Sequence, residues 1–151
     1  MKTFNLPKEF AEKWLVALKT GDYSQASNTL LDASVNYDSG DIDHIIGYCC
    51  LGVACSILGA NDDELLNKDI IFQMSNIPDE IPQILAEENS DFNLVDILTR
   101  LNDGFTSMEH INLMEQYEHL WFNRLPSNTT EKISYSFKEI AEWIEHNVDL
   151  I

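Results

Sequence analysis

Apolar residues return at helical spacing along most of this chain, and the clearest interruption is a β-prone stretch between Ser34 and Tyr48. Residues 7–20 form the first predicted helix. Pro7 suits its first turn, Glu9 its dipole-positive end, and Gly21 its termination. Phe10, Trp14, Ala17 and Leu18 share one face, with Lys8, Glu12, Lys13 and Lys19 at the solvent edge. A second, short helix is expected over residues 23–31, turning Leu30 and Leu31 inward. Ser34-Val35-Asn36-Tyr37 and residues 42–48 then flank Asp38-Ser39-Gly40-Asp41, two β-prone runs around a turn-rich group, which predicts a hairpin.

Residues 48–59 are apolar on nearly every side when wound as a helix. Cys50, Val53, Ala54 and Ile57 make one stripe and Leu51, Ala54, Cys55 and Leu58 the next, so this helix is expected at the centre of the fold. Gly52 inside it costs roughly 1 kcal/mol relative to alanine, which predicts that another backbone comes close there. Gly59 is the expected end. Further along, Ile70-Ile71-Phe72-Gln73-Met74 reads as a short strand, and Ile77-Pro78-Asp79-Glu80-Ile81-Pro82 starts a helix that turns Ile81, Ile84 and Leu85 inward.

A helix over residues 92–101 carries Leu94, Ile97, Leu98 and Leu101 on one face and stops at Asn102-Asp103-Gly104. Residues 107–124 are amphipathic through Leu113, Tyr117, Leu120 and Trp121, and Pro126 ends that helix. The last helix is the best marked. Ser136-Phe137-Lys138-Glu139 is a capping box, Tyr135 can staple onto Ile140, and Phe137, Ile140, Ala141, Ile144 and Val148 form the buried stripe. The pattern predicts one helix-rich α+β domain over residues 1–151, with a small β-hairpin or short sheet packed around a central apolar helix.

Composition changes this picture in one respect. At 151 residues and 44% hydrophobic the chain can bury roughly 70% of its unfolded surface without disulfide or metal, but its formal net charge is −17. Such a charge argues against nucleic acid as a ligand, because phosphates need Lys and Arg, and none occurs between Gly21 and Asn67. A basic protein is the complementary partner; a well-solvated acidic surface with no partner is the plainer reading. Mimicry of DNA would want carboxylates in regular rows, whereas here they are scattered among apolar residues. No apolar run is long enough to cross a membrane, and residues 1–7 lack the apolar core of a signal peptide, so a cytosolic protein with free thiols is expected.

Candidate chemistry is sparse. Cys49 and Cys50 fall where the central helix begins, a position at which the dipole and unpaired N–H groups favour a thiolate. A cysteine hydrolase would also need a histidine close in space, and His44, His110, His119 and His146 are the choices, none with a diagnostic spacing. The alternative is that the cysteines are small buried hydrophobes. Metal is not expected: adjacent cysteines followed by Cys55 do not give zinc spacing. Phosphate-binding glycine loops are absent, and no cofactor is implied.

Several pieces in order resemble a family of small uncharacterised proteins of tailed bacteriophages. They are Trp14 and Leu18 before Gly21-Asp22-Tyr23-Ser24-Gln25, then Gly47-Tyr48-Cys49-Cys50-Leu51-Gly52-Val53-Ala54-Cys55, Ile77-Pro78, Leu101-Asn102-Asp103 and Ser136-Phe137-Lys138-Glu139-Ile140-Ala141. The resemblance implies a phage source and the bacterial host cytoplasm rather than an activity. In that family the Leu-Asn-Asp element runs almost directly into the last helix, so residues 104–135 read as an insertion here. That insertion carries Tyr117, Trp121 and Phe122, either packing the extra helix onto the body or standing exposed as aromatic partner anchors, Trp121 foremost.

Three functions are expected on these grounds. The leading one is a non-enzymatic phage accessory protein that binds and modulates a basic host protein. The others are a hydrolase using Cys49 or Cys50, and a small-molecule or nucleotide sponge with a pocket near Tyr48, Asn102 and Asp103.

Overall fold

Tyr48 is where a strand hands the chain to a helix, and the elements on both sides of it are fixed by what crosses that junction. The computed structural model describes residues 2–66 and 94–151. Among them, strand β2 (Leu31–Val35) pairs antiparallel with β3 (Ile42–Tyr48), and helix α2 (Cys50–Ile57) follows. Every residue of α2 from Cys50 to Cys55 is buried. The expected central apolar helix is therefore the centre of the fold.

Helix α1 (Lys8–Thr20) ends on Gly21 in the left-handed conformation at φ 79° and buries Phe10, Ala11, Trp14, Leu15 and Leu18. Trp14 lies on α2 and donates its Nε1–H to the Cys50 carbonyl at 3.0 Å, so the largest buried side chain of α1 also satisfies its one polar group. Helix α3 (Asp62–Leu65) is a single short turn; α4 (Leu94–Asp103) and α5 (Ser107–Gln116) flank the two-residue strand β4 (Phe105–Thr106), which pairs with β5 (Lys132–Ile133). Helix α6 (Phe137–Asn147) begins with the expected capping box. The Ser136 hydroxyl accepts from Glu139 N at 3.2 Å, and the Glu139 carboxylate accepts from Ser136 N at 3.1 Å. The chain closes on itself where β1 (Phe4–Leu6) pairs in parallel with β6 (Val148–Leu150). The result is an α+β fold in which short two-stranded pieces decorate a helical core, and one hydrophobic cluster runs from Phe4 to Val148.

Three expectations are corrected. Residues 23–31 form no helix. Ala26 N donates to the Tyr48 carbonyl and Tyr48 N to the Ser24 carbonyl, each at 2.8 Å, and Asn28 takes a left-handed φ of 72°, so the backbone groups a helix would use are spent across β3. The amphipathic stretch 107–124 is helical only to Gln116, and Tyr117 is extended. There the Asn147 side chain competes with the helix: its Oδ1 accepts from Trp121 N at 2.8 Å and its Nδ2 donates to the Trp121 carbonyl at 3.0 Å. The start of α5 was legible, since Thr106-Ser107-Met108-Glu109 is a second capping box. Finally, Val148 is buried as expected but belongs to β6 rather than the last helix.

The segment read as an insertion supplies Phe105, Leu113, Leu120, Ile133 and Tyr135 to the same core. The strand expected at residues 70–74, the helix begun by residues 77–82, and the first residues of the helix begun at Phe92 lie outside the described residues.

Gly52 is where the expected close approach is most severe. A Cβ added there would sit 1.9 Å from the Leu30 carbonyl oxygen, which is backbone and cannot swing away. Gly47 faces the same segment from the strand side, with Ser24 O 2.9 Å from an added Cβ. The two glycines bracket the junction and let residues 24–30 lie across it. Gly52→Ala should therefore destabilise the protein by about 3 kcal/mol despite alanine's better helix propensity, lowering Tm by roughly 10 °C in a thermal melt followed by circular dichroism.

Candidate functional site

Five of the six candidate site residues meet at the N-terminus of α2. Asn102, the penultimate residue of α4, is only 2% exposed and makes four hydrogen bonds. Its Oδ1 accepts from Cys50 N at 3.1 Å and from Gln25 Nε2 at 3.0 Å; its Nδ2 donates to the Ala26 carbonyl and to Asp103 Oδ1, both at 2.9 Å. An amide has two donors and two acceptor lone pairs, so Asn102 is saturated. Gln25 extends the network. Its Nε2 also donates to the Tyr135 carbonyl at 2.8 Å, and its Oε1 accepts from Phe137 N, in the first turn of α6, at 3.1 Å. Asp103 Oδ1 accepts a further bond from Asn28 N at 3.0 Å. Two side-chain amides thus satisfy first-turn N–H groups of two different helices.

Cys49 and Cys50 stand at the helix start, as expected, but the expected activation does not follow. Cys49 is the N-cap, and its Sγ accepts from Gly52 N at 3.3 Å; Cys50 Sγ donates to the Leu98 carbonyl at 3.6 Å. Both residues are fully buried. Burial pushes the Cys49 thiol up to about 12, against a smaller opposing effect of the Gly52 and Leu51 N–H groups. The Cys50 thiol is also raised well above its ordinary value, first by burial, then by the charges of Cys49 and Asp103. The dipole is present at this helix end but desolvation outweighs it. Cys55, buried one turn on, is likewise raised to about 12 by burial.

Tyr48 lies beside this network. Its hydroxyl donates to Asp62 Oδ1 at 2.8 Å, and its ring meets Tyr23 edge-on at 5.0 Å. Burial and the neighbouring Asp62 carboxylate raise the phenol above its ordinary range, so it acts as a donor at neutral pH. Trp121 stands apart. It is half-buried at the C-terminal end of α6, its ring stacked on His146 at 3.7 Å between centroids, with both backbone groups held by Asn147. His44 and His119 are exposed, and His110 packs edge-on against Phe122 at 4.9 Å.

The residue that sequence reasoning passed over is Gln25. It lies within the stretch 23–31 expected to be helical, whereas its side chain bonds α4, Tyr135 and α6; the one place the sequence singled it out is the run Gly21-Asp22-Tyr23-Ser24-Gln25. Among the described residues no group of histidine, cysteine and carboxylate side chains is arranged to hold a metal ion, and no helix is long and apolar enough to cross a membrane. Compared with known proteins, the chain matches no family model, and no curated protein or solved structure matches it either.

The arrangement is a buried, satisfied polar network, and two outcomes test it. Asn102→Ala should cost about 4 kcal/mol in urea unfolding, because Cys50 N, Gln25 Nε2 and the Ala26 carbonyl lose their partner together. Asn102→Asp should be pH-dependent. Facing the Ala26 carbonyl and Asp103, the new carboxyl would have a folded pKa above its unfolded value of about 3.9, so stability relative to wild type is greatest below that pH and falls as pH rises.

The thiols give a third outcome. An unfolded thiol ionises near 9.0 while folded Cys49 holds its proton to about 12. Unfolding therefore releases protons in this window, and the thiols' contribution to stability is complete below pH 9 and declines towards pH 12. Labelling of Cys49 and Cys50 by a disulfide reagent should proceed at the unfolding rate, and rapid labelling of either in the native protein would contradict the burial described.

Proposed function

We propose that the protein is a non-enzymatic accessory protein of a tailed phage that binds a basic protein of the bacterial host in the host cytoplasm and modulates it. The observation that carries this reading is the one-sided charge of residues 21–66. This stretch has Asp22, Asp32, Asp38, Asp41, Asp43, Asp62, Asp63 and Glu64, and no Lys or Arg. A surface of one sign steers association with the opposite sign and discourages like-charged partners. The state of the candidate chemical groups supports it as well. The thiols are buried and protonated, and the Asn102 amide has no hydrogen-bonding capacity to spare for a ligand. The phage resemblance of Gly47–Cys55 and the flanking motifs supplies the source and the compartment.

Immobilised protein incubated with bacterial lysate should retain a basic protein at low salt and release it as ionic strength rises to about 0.5 M, where the Debye length is only a few ångströms. Retention of nothing above background at any ionic strength would sink the reading.

A further inference from the structure

We infer that the β2–β3 hairpin is the docking element, and that its occupant is an extended basic segment of the partner protein, added as a third strand along the free edge of β3. This inference rests on the binding function proposed above and names its surface. Among the described residues, the edge of β3 turned away from β2 is paired only at Tyr48, through Ser24 and Ala26. Among the described residues no backbone group pairs with that edge from Ile42 to Ile46, and an unpaired edge is a template for another chain.

The side chains along this arm are those of an interface rather than of a solvated loop. Ile46 is 51% exposed, Ile45 38%, and Tyr37 at the tip is fully exposed. Between them stand Asp38, Asp41 and Asp43, all exposed. The register skips Ile46 and Asp43, which lie opposite no residue of β2, so β3 has two bulges. Bulges and charges on an edge suppress pairing between identical copies. A second copy would bring Asp43 and Asp41 against their own kind. A segment alternating basic and apolar residues meets neither obstacle: its backbone takes the open edge, its apolar side chains cover Ile45 and Ile46, and its cations reach the three aspartates. Charge therefore chooses the basic segment over a second copy of this chain.

The test uses the full chain and a short peptide alternating lysine and valine, followed by amide hydrogen exchange and by titration. Exchange at residues 42–46 should slow on peptide addition, and binding should weaken at least about tenfold in Asp41→Asn/Asp43→Asn and in Ile46→Pro. Because proline could distort the arm, Ile46→Asn, which keeps the backbone N–H, serves as the second edge variant and should weaken binding less than Ile46→Pro does. Equal protection by a glutamate–valine peptide, protection confined to other residues, or concentration-dependent protection without peptide, as self-association would give, each overturns the inference. Host-protein capture that survives Ile46→Pro and Asp41→Asn/Asp43→Asn unchanged would also overturn it while leaving the binding function standing. Loss of capture by the wild type itself would instead remove that function.

Discussion

The Asn102 amide closes four hydrogen bonds in a place where water does not reach, and most of the tertiary structure is arranged so that it can. Its acceptors hold the first N–H of α2 and the Gln25 amide; its donors hold the Ala26 carbonyl and Asp103. These groups come from three parts of the chain: the start of α2, residues 25–26, and the end of α4 itself. A buried polar group left without its partner costs about 1–3 kcal/mol, so a network of this kind is stabilising only when every member is satisfied. That condition fixes where α4 ends, where α2 begins and how the irregular segment 24–30 crosses between them. Gln25 then carries the same constraint to α6 through Phe137 N.

The crossing is sterically as well as electrostatically demanding. Residues 24–30 pass so close to the strand–helix junction that neither Gly47 nor Gly52 can carry a side chain. The price of Gly52 in helix propensity is small beside the overlap that any Cβ would meet. Burial at the same junction decides the chemistry of the cysteines. The N-terminus of α2 offers N–H groups that would favour a thiolate in water, but loss of hydration opposes the charge more strongly, and the thiols stay protonated. One packing arrangement therefore converts the most reactive-looking residues of the sequence into core.

Outside that core the chain is polarised. The hairpin arm and its surroundings are acidic and partly apolar, whereas among the described residues the cations lie in the first twenty residues, in α4 and in the C-terminal third. Those cations are largely engaged by carboxylates: Lys13 with Glu9 at 3.6 Å, Arg100 with Glu109, and Arg124 with Glu139 at 2.7 Å. The exposed pairs add little stability. Their consequence is instead spatial, since each places a cation beside a carboxylate of its own neighbourhood, whereas residues 21–66 have no cation to do so.

Local signals in the sequence were enough for the elements whose determinants are close in the chain. The capping box at Ser136, the turn at residues 38–41, the apolar stripes of α1 and α2 and the backbone approach at Gly52 could all be read from spacing and side-chain type. The location of the candidate site was legible too, in that Tyr48, Cys49, Cys50, Asn102 and Asp103 do come together, with Trp121 elsewhere. What those residues do was not legible, because it depends on partners far away in sequence. A helix over residues 23–31 was reasonable locally but lost its backbone groups to Tyr48, and the helix from Ser107 stopped at Gln116 because Asn147 takes up the backbone of Trp121. Periodicity reports which face of a segment is apolar; it carries no information about which distant donor or acceptor will meet that segment's backbone. The thiol pKa likewise depends on the total burial supplied by α1, α4 and residues 24–30, and only the assembled fold determines that sum.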